Sequence, residues 1–317
     1  MPMNADKLRL VFLGTPAFAV PTLEAIARAD HDVPLVVTQP DRPKGRGQTA
    51  AAPPVKEAAL RLGIEVYQPE RVRRPEAVER LGSIGADAMV VVGYGQIIPQ
   101  NVIDLAPLGI INVHASLLPK YRGAGPIQWA IVNGETRTGV TTMRIDAGLD
   151  TGDMLLKRET EIGPEENAGE LGRRLAVMGA DLLVETLARI REIVPEKQDN
   201  SQATYAPLLK KEDGVIDWSQ PASAIHNRVR GLQPWPGAYT TFRGHALHIW
   251  RAALAAPGSG GQRPGKIAGL RPLVVACGSG ALELLEVQLE GRKRMPAADF
   301  ANGQRLTEND SLGEPTN

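Results

Sequence analysis

Between residues 8 and 113, short apolar runs alternate with helical patterns, and this alternation constrains the fold more than any other feature of the chain. Residues 8–13 and 33–38 read as buried strands, separated by a helix over 17–29 with Pro16 near its start. A helix over 54–62, a strand over 64–67 and a helix over 75–81 follow, then the predominantly apolar runs 86–92 and 109–113. Continuous hydrophobicity belongs to strands covered on both faces. The pattern predicts an α/β fold: a Rossmann-like, doubly wound, mostly parallel sheet whose ligands bind beyond the carboxyl ends of its strands. Further strands are expected over 139–145 and 154–160, and a long amphipathic helix over 165–190.

The texture changes after about residue 205. Gly and Pro become dense, the strand-like runs (246–250, 273–276, 281–287) are short, and only 222–229 reads as a helix. We expect a catalytic domain over 1–190, a polar linker over 191–205 and a small C-terminal β-barrel, OB-like, over 206–312. A length of 317 residues suits two such domains. Trp218 and Trp235 read as packing between them.

Charge and cysteine content exclude several function classes. The formal net charge is +0, so no global field points to nucleic acid or membrane, and a charged partner must meet a local patch. Residues 205–306 hold such an excess, 13 Lys+Arg against 7 Asp+Glu, or 13 − 7 = +6. The single cysteine, Cys277, permits no intrachain disulfide and no cysteine-based metal cluster. No leader pattern is read at the start, and no apolar run approaches the roughly 20 residues needed to span a bilayer. A cytoplasmic protein without membrane contact is expected, and nothing requires more than a monomer.

The chemistry concentrates in residues 112–153. Asn112 and His114 stand two residues apart, so on a strand they share one side at its carboxyl end. Asp150 follows in Gly-Leu-Asp-Thr-Gly-Asp, residues 148–153. Acyl transfer to an amine needs a group to hold the oxygen that gains charge and a group to move protons. An amide N–H serves the first and an imidazole, with an ordinary pKa near 6.5, serves the second. A carboxylate beside the imidazole fixes its orientation. No nucleophilic Ser or Cys is needed if the amine attacks directly. Gly14-Thr15-Pro16 after the first strand lacks the glycines of a dinucleotide fingerprint, so no NAD is expected. No metal is expected either, since the histidines show no convincing ligand spacing.

The string Asn-Val-His-Ala-Ser-Leu-Leu-Pro-Lys-Tyr-Arg-Gly-Ala-Gly-Pro (112–126), the segment 139–155 and the segment 90–99 with Gly93-Tyr94-Gly95 together resemble the folate-dependent formyltransferases. The resemblance implies that Asn112, His114 and Asp150 are the catalytic trio. It assigns Ser116, Leu117, Leu118 and Pro119 to the tetrahydrofolate loop and implies donor contacts around Val91, Gly93 and Tyr94 and along 145–150. The donor would be 10-formyltetrahydrofolate. Ala124-Gly125-Pro126 departs slightly from the family's usual Ala-Ala-Pro without touching the chemistry.

Within the superfamily, the chain is most similar to the branch whose acceptor is methionyl initiator tRNA, and the similarity covers nearly the whole chain. The loop over 38–47 is broken by Pro and Gly and carries Arg42, Lys44 and Arg46, suited to a phosphate backbone or base edge. In the resembling branch the equivalent loop enters the acceptor stem. A basic β-domain is a common nucleic-acid platform, with Lys210, Lys211, Arg292, Lys293 and Arg294 as candidate phosphate contacts. Alternatives stay open on sequence: a formyltransferase for an amino sugar nucleotide or glycinamide ribonucleotide, a formyl-tetrahydrofolate hydrolase, or a non-catalytic RNA-binding protein on the same scaffold.

Overall fold

The computed structural model describes residues 7–44, 49–256 and 261–313. In chain order its elements are β1 (Arg9–Gly14), α1 (Val20–Arg28), β2 (Asp32–Val37), β3 (Arg42–Lys44), β4 (Thr49–Ala51), α2 (Pro54–Arg61), β5 (Glu65–Tyr67), α3 (Pro75–Ser83), β6 (Ala88–Val92), α4 (Gln100–Ile103), β7 (Ile110–His114) and β8 (Arg122–Gly123). Then come α5 (Pro126–Val132), β9 (Arg137–Arg144), β10 (Met154–Glu161), α6 (Ala168–Ala188), β11 (Tyr205–Ala206), α7 (Ala222–Gly231), β12 (Ala238–Phe242), β13 (His245–Leu254), β14 (Ile267–Leu270), β15 (Leu273–Ala276), β16 (Ala281–Leu289), β17 (Met295–Pro296) and α8 (Ala297–Gly303). No helix among the described residues is long and apolar enough to cross a membrane.

Contacts divide the chain into two units. Unit 1 holds Met1–Gly123, Arg137–Glu161 and Gly172–Tyr205; unit 2 holds Ala124–Thr136, Ile162–Leu171 and Ala206–Asn317. Unit 1 is built on a 7-stranded sheet ordered β10-β9-β7-β6-β1-β2-β5. The five strands from β7 to β5 run parallel, and β9 and β10 add antiparallel at one edge. Period-two alternation sorts the strand residues between two cores. Leu10, Phe12, Val36, Val90 and Ile111 pack with α1, α2 and α6 residues such as Leu23, Ala58 and Leu183. Val11, Leu13, Leu35, Met89 and Ile110 pack on the other face with Leu81 of α3 and Val102 of α4. With both faces covered, all five residues of β6 and of β7 are buried; β6 is apolar throughout, and β7 is apolar except at Asn112 and His114.

The chain leaves β1 for β2 and β5 on one side, then returns to β6 and β7 on the other. The reversal falls at the carboxyl ends of β1 and β6, where Gly14 and Val92 lie in register; in doubly wound sheets this is where ligands bind. In the stretch expected as a loop, β3 and β4 pair as an antiparallel ladder, with Arg42 opposite Ala51 and Pro43 opposite Ala50. The stretch expected as a linker is also anchored, since Glu196 bridges Met154 and Gln198 bonds the backbone of Asp150 and Gly152.

Unit 2 carries a separate antiparallel sheet, β12-β13-β16-β15-β14, with β17 beside β16. Among the described residues no ladder joins β12 to β14. One face is covered by α7 and by α8, a helix the sequence pattern missed, whose Phe300 meets Phe242 edge-on at 5.3 Å. Trp218 is a core residue of this unit, its indole N–H donating to Thr240 Oγ1 at 3.0 Å, whereas Trp235 is exposed. Segments 124–136 and 162–171 fall inside the stretch expected as one catalytic domain, yet they pack with unit 2. Gly231 explains the closeness of α7 to α5: a Cβ there would meet Val132 Cγ2 at 2.8 Å. Arg230 is buried and donates to the carbonyls of Gly163 and Glu166.

Candidate active site

β7 is the frame of the site. It lies between β6 and β9, so Asn112 stands level with Val91 and Met143, and His114 with Thr141. Both polar side chains are buried, at 8% and 5% exposure, on a strand that is otherwise Ile, Ile and Val. A buried polar group at the end of an apolar strand needs a partner.

His114 has two. Its Nε2 lies 2.8 Å from the carbonyl oxygen of Tyr121. A carbonyl only accepts, so Nε2 carries a proton and the neutral ring keeps its lone pair on Nδ1. Nδ1 lies 3.7 Å from Asp150 Oδ2. That is too long for a hydrogen bond and close enough for strong attraction once Nδ1 takes a proton. The side chains are 6% and 18% exposed, so screening by water is weak.

Asp150 is held from several directions. Its Oδ2 accepts from the Gly123 backbone N–H at 2.9 Å, and its carbonyl accepts from Gln198 Nε2 at 2.8 Å. Its φ is 51°, a left-handed conformation that Asp and Asn tolerate better than other side-chain-bearing residues. The trio thus comes from two chain segments, with Asn112 and His114 on one strand and Asp150 on the β9–β10 connection.

Of the residues assigned to the donor, Val91 is a core residue one short of the end of β6, and Gly93 follows the strand at φ 57° with Pro16 against it. Tyr94 is buried, its carbonyl accepting from Thr15 Oγ1 at 2.9 Å and Gln39 Nε2 at 3.2 Å. Among the described residues its phenolic oxygen has no hydrogen-bond partner, and burial pushes its pKa well above the ordinary phenol value. The Ser116–Pro119 loop divides its side chains. Ser116 Oγ donates to the Lys120 carbonyl at 2.6 Å, and Leu118 packs with Met143 and Met154. Both residues therefore shape the loop from inside, leaving the half-buried Leu117 and Pro119 for contact.

The expected RNA-contacting cations sort differently. Arg42 is exposed on β3; Lys44 ends that strand, and Arg46 lies outside the described residues. In unit 2, Lys210, Lys211, Arg292 and Lys293 are exposed. Arg294 is already engaged, its guanidinium 4.1 Å above the Trp250 ring and 3.6 Å from Glu286 Oε2.

Sequence reasoning missed the residues that hold the trio. Arg122, 2% exposed, donates Nε to Gln198 Oε1 at 3.0 Å and Nη2 to Asn200 Oδ1 at 2.8 Å. Thr204 Oγ1 accepts from the Tyr121 N–H at 2.8 Å. The only sequence signal was Arg122 inside the quoted string; Gln198, Asn200 and Thr204 lie in a polar stretch with no pattern of their own.

With this geometry established, comparison with known proteins places the chain. The family model described as formyl transferase matches residues 8–187, and that of the formyl transferase C-terminal domain matches 208–305. A methionyl-tRNA formyltransferase of Solibacter usitatus is 78% identical over 309 residues, covering 97% of this chain and 99% of its own. One from Koribacter versatilis is 59% identical over 308 residues, covering 96% and 98%. Among solved structures, HypX from Aquifex aeolicus in complex with tetrahydrofolic acid superposes with a TM-score of 0.63 over 93% of this chain and 47% of its own. Its 16% identity speaks for the fold alone.

Proposed function

The chain belongs to the formyl transferase family, and from that premise we propose that it transfers the formyl group of 10-formyltetrahydrofolate to the α-amine of methionyl initiator tRNA, the product serving translation initiation. The observation that carries this reading is the 78% identity, over nearly the full length of both chains, to a protein named for that activity.

The bond changes are simple. The methionyl nitrogen attacks the formyl carbon, a new C–N bond forms, and the bond from that carbon to the folate N10 breaks. One amine proton must leave, and N10 must gain one. In our reading His114 Nδ1 takes the proton, because Nε2 is committed to Tyr121. Asp150 stabilises the imidazolium across 3.7 Å and does not itself accept the proton. The Asn112 amide donates to the formyl oxygen as charge builds there; losing one such donor typically costs about 2.7–4 kcal/mol of barrier. His114 then returns the proton to N10.

In this reading the donor lies beyond the carboxyl ends of β1 and β6, meeting the backbone around Val91, Gly93 and Tyr94 and the half-buried Leu117 and Pro119. The tRNA would be met by Arg42, Lys44 and Arg46, and by Lys210, Lys211, Arg292 and Lys293 on connecting segments of the C-terminal unit, read as an OB-like platform. Arg294 joins them only by giving up Glu286. One assay tests the reading. The purified protein is incubated with 10-formyltetrahydrofolate and methionyl-tRNA, an amino sugar nucleotide, or water alone. Formylation of methionyl-tRNA is the expected result, and turnover confined to either other acceptor overturns it.

A further inference from the structure

The long-range partners of the trio assign a role to two residues that the chemistry above does not use. Gln198 has its side-chain amide fully committed: Nε2 donates to the carbonyls of Asp150 at 2.8 Å and Gly152 at 2.7 Å, while Oε1 accepts from Arg122 Nε at 3.0 Å. Arg122 fixes which way that amide faces. Its guanidinium is a donor only, so the Gln198 oxygen must turn toward it and the nitrogen toward the two carbonyls. The Arg122 N–H donates to the Thr204 carbonyl at 2.8 Å, and Nη2 to Asn200 Oδ1.

Two loops are thereby locked by one short segment. The 119–123 loop touches His114 through the Tyr121 carbonyl and Asp150 through the Gly123 N–H. The 150–152 turn presents the carboxylate. Residues 198–204 grip the first loop through Thr204 and Arg122 and the second through Gln198. We infer that Gln198, oriented by Arg122, is a positioning residue that sets the distance and angle of the Asp150 carboxylate to the His114 ring. The inference rests on the proposed roles of His114 and Asp150. It predicts an effect on turnover with no direct contact to either substrate.

Two variants test it. Gln198→Met keeps the volume of the side chain and removes both donors and the acceptor. Gln198→Glu keeps an acceptor for Arg122, adds charge attraction to it, and faces two carbonyl oxygens with an oxygen that cannot donate. The first readout needs neither donor nor tRNA: the ring resonances of His114 in histidine-labelled protein, assigned among the 5 histidines by their loss in His114→Gln. Both variants should move the His114 ring resonances while leaving those of His245 in place. The second readout is kinetic: kcat should fall by about 10–100-fold, the scale of small misplacements in a reacting group, with KM for both substrates within about twofold. Unmoved His114 signals in a folded Gln198→Glu protein would overturn the inference, as would a wild-type kcat. Moved signals in a protein whose wild type transfers no formyl group would support the positioning role and overturn the function instead.

Discussion

Replacing Asp150 by Asn isolates the charge of the carboxylate from everything else it does. The backbone there has φ 51°, which Asn adopts readily, so the turn survives; Ala at the same position would add strain. The Asn oxygen can accept from the Gly123 N–H as Oδ2 does now, at 2.9 Å. Trading a charge-assisted for a neutral hydrogen bond should cost stability about 1 kcal/mol. What disappears is the attraction between the carboxylate and a positive charge on His114. At 3.7 Å, Coulomb's law gives that attraction about 4 kcal/mol at an effective dielectric near 20, and about 1 kcal/mol in bulk water. The pair is mostly buried, which favours the larger figure. Since each 1.4 kcal/mol is a factor of ten, kcat should fall by about 100- to 1,000-fold. The assay is formylation of methionyl-tRNA at saturating donor and acceptor, with a thermal melt as the control for folding. A folded Asp150→Asn protein with kcat within about threefold of wild type would refute the assignment of the proton to His114 Nδ1.

Three further outcomes follow from other parts of the molecule. Gly139→Ala places a methyl group 2.6 Å from Leu117 Cδ2 and against the Arg158 carbonyl across the β9–β10 ladder. It should cost about 1–3 kcal/mol in a denaturant titration and raise KM for the folate donor, with kcat nearly unchanged. Arg42→Ala should raise KM for the tRNA, flatten its salt dependence by about one ion, and leave KM for the donor as it is; equal effects on both substrates would place Arg42 elsewhere. His31 gives a pH dependence. Its Nδ1 accepts from the Leu8 N–H at 3.3 Å, and burial holds its pKa below the ordinary 6.5, against a smaller opposing pull from Asp30. The unfolded chain therefore binds the proton more readily, so this contribution is intact above about pH 6.5 and is lost as pH falls through the lower folded value. Melting temperature should drop less between pH 7.5 and 5.5 in His31→Gln than in wild type; identical slopes would exclude His31.

How much of this could be read from the sequence depended on how local each determinant is. The parallel sheet was legible because β6, covered on both faces, is apolar throughout, and β7 is apolar except at Asn112 and His114. Asn112 and His114 were legible as a pair because a strand's period of two places them together without help from distant residues. The short helix α8 was not, since seven residues in a Gly- and Pro-dense region give too little periodicity to register. Nor was the pairing of β3 with β4: their flanks read as a Pro-broken loop, and only the ladder from Arg42 to Ala51 reveals them as strands. Nor could chain order show that residues 124–136 cluster with unit 2, because it says nothing about which surface a helix buries, and α5 buries Ala130 and Ile131.

The polar network around the trio marks the sharpest limit, and it also says what the trio alone cannot do. Asp150 stands 36 residues from His114 in sequence, and its position depends on Gln198, a further 48 residues along. Hydrogen bonds of that reach leave no periodic trace, and Gln198 sits among polar neighbours that composition marks as linker. Yet the 3.7 Å gap between Nδ1 and Oδ2 is not set by either residue's own backbone alone, because Gly123, Tyr121 and Gln198 each hold one side of it. An imidazole free to turn would close that gap into an ordinary hydrogen bond and bury its proton site. In the proposed mechanism, keeping Nε2 on the Tyr121 carbonyl and the carboxylate on the Gly123 N–H leaves the Nδ1 lone pair to take the amine's proton, with the carboxylate that steadies the imidazolium 3.7 Å away.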